Sequence, residues 1–305
     1  MKEVVLSAAL MLLIGVFSAI LLWQKQHHKK QLRKLNRDLD RLLQQGTPLP
    51  IDQYREGELS ILANQMEKIT LRLTGTADRI QKEKEYLADS LADISHQLRT
   101  PMTSMNLAVT MLRGPELEHS RRMELTAELR NQLSRMDWLV ETLLKISKLD
   151  AGTITMATET IPVQQLIEKA AEPLSISMDI RNQQLQVFCH SEKIQGDLSW
   201  TAEALGNILK NCMEHTPTGG FITVHAEETP LFTQIEIEDT GEGFASEDLP
   251  HIFDRFYQGR NSSAESYGIG LALARSIITS QNGIIQAQNG EKGAKFIIKF
   301  YKQVI

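Results

Sequence analysis

An uninterrupted apolar segment near the start of the chain constrains its fold more than any other feature. Between Val4 and Trp23 there are 20 consecutive residues without a charge. A helix of that length spans about 30 Å, the hydrocarbon thickness of a bilayer. A cleaved signal peptide would have an apolar region of about 7–15 residues ending in small residues, whereas this one ends in Leu21, Leu22 and Trp23. We therefore predict an uncleaved transmembrane helix over residues 4–23.

The charges that flank this segment predict its orientation. Lys2 precedes it, and five basic residues follow closely: Lys25, Lys29, Lys30, Arg33 and Lys34. Because basic residues stay on the cytoplasmic side, we expect a single-pass protein of the cell membrane with its N-terminus outside. Only three residues would face outward, so no extracellular sensor domain is expected.

The remaining composition is that of a globular protein. A chain of 305 residues is long enough for about two domains, and 42% hydrophobic with 23% charged residues excludes wholesale disorder and a polytopic membrane protein. Seven basic and two acidic residues in 24–50 form a collar suited to anionic lipids. The net charge of −5 gives no reason to expect nucleic acid as a partner. Cys189 and Cys212 are expected as free thiols.

Four helices are predicted between the membrane and residue 152. Leucines at a spacing of three and four residues indicate two short helices within 24–78, joined by an extended connector at Gly46–Pro50. This linker resembles a HAMP relay, and a plain coiled coil is the alternative. The same spacing in 79–152, broken at Gly114-Pro115, predicts an antiparallel hairpin that pairs with a second copy as a four-helix bundle. A homodimer follows from that geometry.

The pattern changes after Gly152, where residues 153–305 are predicted to form an α/β domain. Residues 233–238 and 294–300 alternate as strands do, and apolar helices are predicted over 202–213 and 271–280. The fold class is therefore α+β and multidomain.

One histidine stands out in the first hairpin helix. Ile94 and Leu98 face the seam, so His96 is expected to point to solvent. Pro101 follows within the same helix, where it costs about 3 kcal/mol and is unexpected in a plain structural hairpin. Because a neutral imidazole is a competent nucleophile toward phosphorus, His96 is a candidate phosphoacceptor.

Three groups of residues in the α/β domain suggest a nucleotide site. Asn207 and Asn211 are four residues apart on one helix face, and their amide oxygens suit Mg²⁺. Asp239 follows a strand and is able to accept a hydrogen bond from an exocyclic amine such as that of adenine. Gly241 and Gly243 permit a close backbone approach, and glycines 268 and 270 open a helix whose free N–H groups offer a phosphate cradle.

Taken together, residues 87–305 resemble a bacterial sensor histidine kinase, because five short motifs occur in that family's order and spacing. The resemblance implies a dimerisation and phosphotransfer hairpin of the HisKA type, followed by an ATP-binding α/β sandwich of the Bergerat type. It also implies that His96 is phosphorylated from ATP and passes the phosphoryl group to an aspartate of a response regulator. Thr100 matches a position that orients water for phosphatase activity. The implied ATP contacts are Asn207, Lys210, Asn211, Asp239, Gly241, Gly243, Phe253, Arg260, Gly268, Gly270 and Leu271, with Asn207 and Asn211 holding Mg²⁺.

The sequence departs from the family pattern at two positions. Gln97 replaces the usual acidic neighbour of the histidine; it is able to fix the imidazole tautomer but not to act as a base. Glu214 stands where a basic residue is common and removes one phosphate contact. We therefore predict an active but slower kinase. An ATPase of the chaperone or topoisomerase kind and a non-catalytic scaffold are the alternatives. The stimulus is expected through the bilayer or a membrane partner such as a transporter.

Overall fold

The computed structural model describes residues 2–45, 58–114, 117–189, 192–259 and 267–302; within the first helix, side chains are described only at 11–27, 29–30, 33 and 36–37. The chain forms two compact units, Met1–Asp89 and Ser90–Ile305. The domain limits predicted at residues 78 and 152 stay predictions.

The first unit contains long helices. Helix α1 covers Lys2–Gln45, and helix α2 covers Glu58–Leu112. The predicted span and the first linker helix are therefore parts of one helix, and α2 likewise continues through residue 78. Residues 24–45 and 59–100 contain no proline, and Gly75 costs only about 1 kcal/mol within α2, so nothing there ends either helix. The connector predicted at Gly46–Pro50 lies outside the described residues.

The membrane span is not supported by the described part of the chain. Among the residues that the structure describes, no helix combines the length and the apolar character needed to cross a membrane.

The second unit begins with the predicted hairpin, which is confirmed. The end of α2 and helix α3, His119–Asp150, are joined by a short connection in which the Gly114 N–H donates to the Met111 carbonyl at 3.0 Å. Pro115, part of the predicted break, is outside the described residues. The buried hydrophobic positions within the hairpin itself include Ala108 and Leu125.

The α/β part of this unit is also confirmed. Its elements are β1 Glu159–Pro162, α4 Val163–Ala171, a 3-10 turn Glu172–Leu174, α5 Ser175–Ile180, β2 Gln184–Phe188, β3 Lys193–Gly196, α6 Leu198–His215, β4 Phe221–Glu228, β5 Phe232–Asp239, α7 Gly270–Ser280, β6 Gly283–Asn289 and β7 Ala294–Tyr301. Strands β1 and β3 pair with each other, and the five-stranded sheet has the order β2-β4-β5-β7-β6. Only β2 and β4 are parallel in that sheet.

Alternation along the central strands places the core on one face of the sheet. In β5 the buried positions are Thr233, Ile235, Ile237 and Asp239. Because successive side chains of a strand point to opposite faces, the same register that buries the isoleucines also buries the carboxylate of Asp239. This register determines the environment of the candidate site.

Helix α3 is anchored to the α/β part by both apolar and charged contacts. Leu139 and Ile146 are fully buried in the core that α7 and the sheet share, although the sequence assigns them to the hairpin seam. Lys145 forms an ion pair with Glu203 of α6, and Asp150 forms one with Arg255. The hairpin and the α/β part therefore belong to one compact unit.

Candidate functional site

A cavity of about 450 Å³ lies beside α6 in the second unit. Seven of the residues predicted to bind nucleotide line it: Asn207, Lys210, Asn211, Gly243, Gly268, Gly270 and Leu271. Residues that are distant in sequence therefore meet at one cavity, as the order of the motifs predicts.

Helix α6 presents the predicted asparagine pair to this cavity. Its N-terminus is capped by Asp197, whose Oδ1 accepts from the N–H groups of Ser199 and Trp200 at 2.9 and 3.1 Å. Asn207 Nδ2 donates to the Glu203 carbonyl at 2.9 Å, which leaves its Oδ1 for a ligand. Hard amide oxygens suit Mg²⁺, which takes the rest of its shell from water and phosphates. Within the described ranges, no group of three His, Cys, Asp or Glu side chains is arranged to hold a metal ion.

Asp239, at the end of β5, has one oxygen that the protein satisfies and one that it does not. Its Oδ1 accepts from the N–H groups of Gly241 at 2.9 Å and Ala294 at 3.0 Å. Its Oδ2 is buried and has no hydrogen-bond partner. Burial raises the pKa of this carboxyl, and the two backbone donors oppose that rise. Since Ala294 lines the cavity, the unpaired acceptor fits a buried donor such as the amine of adenine.

The thiol of Cys212, on α6, lies against Asp239. Burial and the charge of Asp239 raise the pKa of Cys212 well above its ordinary value, so the thiol stays protonated. The thiol and the nearby His215 both act to lower the pKa of Asp239, against the larger effect of burial.

Two glycine turns close the cavity. Gly243 has a φ of +73°, and the side chain of Asn289 holds the following residue by accepting from the Phe244 N–H at 2.7 Å and donating to its carbonyl at 2.9 Å. Gly268 has a φ of +67°, and a Cβ there would lie 2.3 Å from the Tyr257 carbonyl oxygen. Helix α7 begins at Gly270, so the N–H groups of its first turn lack helical partners and are able to bind phosphate.

Three of the predicted contacts within the described residues, Asp239, Gly241 and Phe253, are not among the residues that line the cavity. The Gly241 N–H donates to Asp239 Oδ1, so Gly241 contributes by holding that carboxylate. Phe253 packs edge-on against Phe296, with ring centroids 6.4 Å apart, and lies under the Arg275 guanidinium, so its role here is packing. Arg260 lies outside the described residues.

The predicted phosphoacceptor is on α2, and His96 is exposed there, as predicted. The Thr100 hydroxyl donates to the His96 carbonyl at 3.4 Å, Gln97 is half-buried, and Pro101 is buried. His96 is not among the residues that line the cavity.

Sequence reasoning missed several cavity residues. Tyr257 donates to Asp248 at 2.8 Å on one wall, and the helical hairpin contributes Ser134, Arg135 and Trp138 on another. The glycine cluster at 290–293 in the sequence indicated one contact that was missed, the close approach of the Gly293 backbone to Asp239. The hairpin residues have no motif of their own, because tertiary packing alone brings them to the cavity.

Two family models match the chain in the same order as these two sites. Residues 86–152 match the His Kinase A (phospho-acceptor) domain. Residues 196–304 match the histidine kinase-, DNA gyrase B-, and HSP90-like ATPase.

Curated proteins and solved structures point the same way. Sensor histidine kinase YclK of Bacillus subtilis (strain 168) is 27% identical over 278 residues, covering 89% of this chain and 59% of the relative. The chain thus spans about three-fifths of the length of the curated relatives that it matches. The Acinetobacter baumannii histidine kinase AdeS has the same fold, with a TM-score of 0.58, 24% identity and coverage of 68% of this chain and 98% of that one. Histidine kinase ThkA, solved in complex with response regulator protein TrrA, has a TM-score of 0.58 at 20% identity, covering 75% of this chain and 66% of that one.

Proposed function

Because the chain belongs to the sensor histidine kinase family, we propose that it is an ATP-dependent protein histidine kinase that phosphorylates itself on His96. The observation that carries the proposal is the buried Asp239 Oδ2, which has no hydrogen-bond partner. The other oxygen of the same carboxylate accepts from Ala294, which lines the cavity together with Asn207 and Asn211. An ATPase without a phosphoacceptor would not need an exposed histidine on a helix with an interior proline.

Each part of the nucleotide has a matching group in the chain. Asp239 Oδ2 accepts from the adenine amine, and Gly241 and Gly243 let the backbone approach the base. Lys210 and the first-turn N–H groups of α7 hold the phosphates, to which Arg260 is a further proposed ligand. Asn207 and Asn211 supply amide oxygens for Mg²⁺, which when bound neutralises charge on the phosphates.

The reaction itself is a phosphoryl transfer. The lone pair of His96 Nε2 forms a bond to the γ-phosphorus, the bond from that phosphorus to the β,γ-bridging oxygen breaks, and ADP leaves. Gln97 accepts a hydrogen bond from Nδ1–H and so fixes the tautomer. Most of the rate comes from positioning and charge neutralisation, which is why a neutral residue at position 97 permits activity.

The acceptor of the second transfer is proposed to be an aspartate of a cognate response regulator. Thr100, one turn beyond His96, is proposed to orient the water that hydrolyses the phosphoaspartate of the regulator to aspartate and inorganic phosphate, a phosphatase reaction separate from the transfer. The hairpin is proposed to dimerise, since Val140 and Leu144 on α3 expose 44% and 55% of their surface and a second hairpin would cover such positions.

Membrane attachment is a further part of the proposal, with the catalytic domains in the cytoplasm. The large apolar side chains between Met11 and Trp23 are 50–75% exposed, and a contiguous surface of that kind is favoured in lipid rather than in water. Nothing in the described residues or the comparisons supports a transporter partner, so it is not included. The double variant Leu13→Lys/Ile14→Lys is expected to move the chain from the carbonate-resistant membrane fraction to the soluble fraction.

The deciding experiment is incubation of the purified full chain in detergent with γ-labelled ATP and Mg²⁺. We expect an acid-labile, base-stable label that is absent from His96→Gln while ATP binding by that variant is unchanged. The exposed His119→Gln variant is the matched control and should keep the label. ATP turnover without protein label would show a plain ATPase, and neither turnover nor label would show a scaffold.

A further inference from the structure

We propose that Trp138 of the hairpin holds the phosphate-binding lysine of the nucleotide site, so that polyphosphate binding and the contact of α3 at the cavity oppose each other. The inference rests on the proposed function, because it concerns the affinity of the same cavity for ATP. It assigns a nucleotide-affinity role to a residue that no sequence motif marks.

Trp138 contacts the cavity on two sides. Its ring stacks on that of Tyr267, with centroids 6.1 Å apart and planes 25° from parallel. The Lys210 Nζ lies 5.4 Å from the centroid of the same ring. Tyr267 immediately precedes the Gly268–Gly270 turn, and Lys210 lies between the two asparagines. One hairpin side chain therefore touches both phosphate-binding elements.

The position of Trp138 is fixed by neighbours on α3 that do not touch the nucleotide. Leu139, the next residue, is fully buried, and the pairs Lys145–Glu203 and Asp150–Arg255 join the following turns of α3 to the α/β part. The backbone of α3 is thus anchored beside the cavity, where Trp138 is 37% exposed, and substitution of Trp138 leaves these anchors in place.

Lys210 cannot serve all its partners at once. Besides the indole ring, its Nζ is 3.8 Å from the Glu214 carboxylate. A triphosphate attracts the ammonium more strongly than a ring face does, because its negative charge is larger and it accepts hydrogen bonds. Turning Nζ to a phosphate therefore gives up the cation–π contact. Because this coupling is reciprocal, the free energy by which ATP binding weakens the cation–π contact equals the free energy by which the contact weakens ATP binding.

The expected change is small and has a definite sign. A cation–π contact at a partly exposed site corresponds to about a two- to fivefold change in an equilibrium constant. Trp138→Ala should therefore bind ATP about two- to fivefold more tightly than the unaltered chain. Adenosine, which has no phosphate, should bind both equally.

The test is calorimetric titration of the full chain in detergent with ATP and, separately, with adenosine. Trp138→Phe keeps a ring with a weaker face and should give an intermediate ATP affinity, which also covers the case in which the alanine variant fails to fold. Met123→Ala, an exposed position on the same helix, is the matched control and should not change ATP affinity. In a Lys210→Gln background, Trp138→Ala should have no further effect on ATP.

The outcomes separate the two proposals. If the unaltered chain binds neither ATP nor adenosine, the proposed function fails. If it binds both, but Trp138→Ala binds ATP equally or more weakly, or shifts adenosine to the same extent, the role of Trp138 is wrong while the kinase proposal stands. A persistent effect of Trp138→Ala in the Lys210→Gln background also overturns the role, because the effect would then not pass through the lysine.

Discussion

The two residues on which the proposed chemistry depends, His96 and Asp239, have opposite surroundings. His96 is exposed on α2, and its nearest polar link is through its own main chain, to Thr100. Asp239 is 1% exposed at the end of β5, with one oxygen held by two backbone N–H groups and the other left unpaired.

The difference suits the two proposed roles, which are nucleotide binding for Asp239 and phosphoryl acceptance for His96. Burial orders the nucleotide site before any ligand arrives, so its binding energy depends on groups already in place. An exposed imidazole, by contrast, is accessible both to a nucleotide and to a second protein. The chain thus combines a rigid donor site with an open acceptor, and each prediction below alters one side of this contrast.

The largest effect is expected from Asp239→Asn. The amide keeps an oxygen for the Gly241 and Ala294 donors. It places an NH₂ donor at the position of Oδ2, which is the proposed acceptor of the adenine amine. Two donors then face each other in a buried place, which costs about 1–3 kcal/mol, so ATP affinity should fall about 5- to 150-fold. Titration with ATP measures it.

The control for this variant is on the same strand. Glu236→Gln changes a carboxylate that pairs with Lys295 and lies away from the cavity, and it should bind ATP normally. If Asp239→Asn binds ATP as tightly as the unaltered chain, the buried oxygen is not the adenine acceptor.

The next largest effect is expected from a change in α2, the helix that carries His96. Pro101→Ala removes a residue that costs about 3 kcal/mol within a helix and restores an N–H donor for the Gln97 carbonyl. The lost ring methylenes offset about 1.6 kcal/mol of that gain. Local stability should therefore rise by about 1 kcal/mol, seen as slower amide hydrogen exchange at residues 97–105. Met102→Ala, at a half-exposed neighbour, should not slow exchange, and faster exchange in Pro101→Ala would contradict a strained helix.

The nucleotide side of this contrast was largely predictable from sequence. Alternation in Thr233–Glu238 places Asp239 on the buried face, the four-residue spacing places Asn207 and Asn211 together, and glycines mark the turns. Each of these patterns is local, so the residues and their periodicity carry the information.

The rest depends on contacts that no local pattern encodes. Leu139 follows the three- and four-residue spacing of the hairpin and Trp138 does not, yet the structure places Leu139 in the core of the α/β part and Trp138 at the cavity. Periodicity identifies which residues are apolar on one side but not which surface covers them. For the same reason it divided α1 and α2 into shorter helices, since the spacing of leucines resembles that of separate helices even where no residue ends the helix.

A smaller effect is expected from Gln97→Glu, which places a carboxylate base next to the exposed His96. General-base catalysis contributes about 10²–10⁴-fold at its best, but positioning and charge neutralisation dominate phosphoryl transfer. Autophosphorylation should therefore rise only severalfold, measured as the initial rate of label on His96. Ser95→Glu adds the same charge on the other side of His96 and should not raise the rate. A rate unchanged in Gln97→Glu would mean that the imidazole needs no base.

The smallest effect is the pH dependence of stability that Asp239 produces. Its pKa in the folded chain is above the ordinary value of 3.8 because burial disfavours the charged form. The folded state therefore binds this proton more tightly than the unfolded state does, so the stability that this proton contributes is fully present below pH 3.8 and is lost as the pH rises through the folded-state pKa. Relative to Asp239→Asn, the unaltered chain should lose thermal stability across that window. Glu228 gives the opposite sign, because Lys302 and the Lys193 N–H lower its pKa, so relative to Glu228→Gln the unaltered chain should gain stability as the pH rises. Equal slopes for the two comparisons would mean that burial does not distinguish Asp239 from a surface carboxylate.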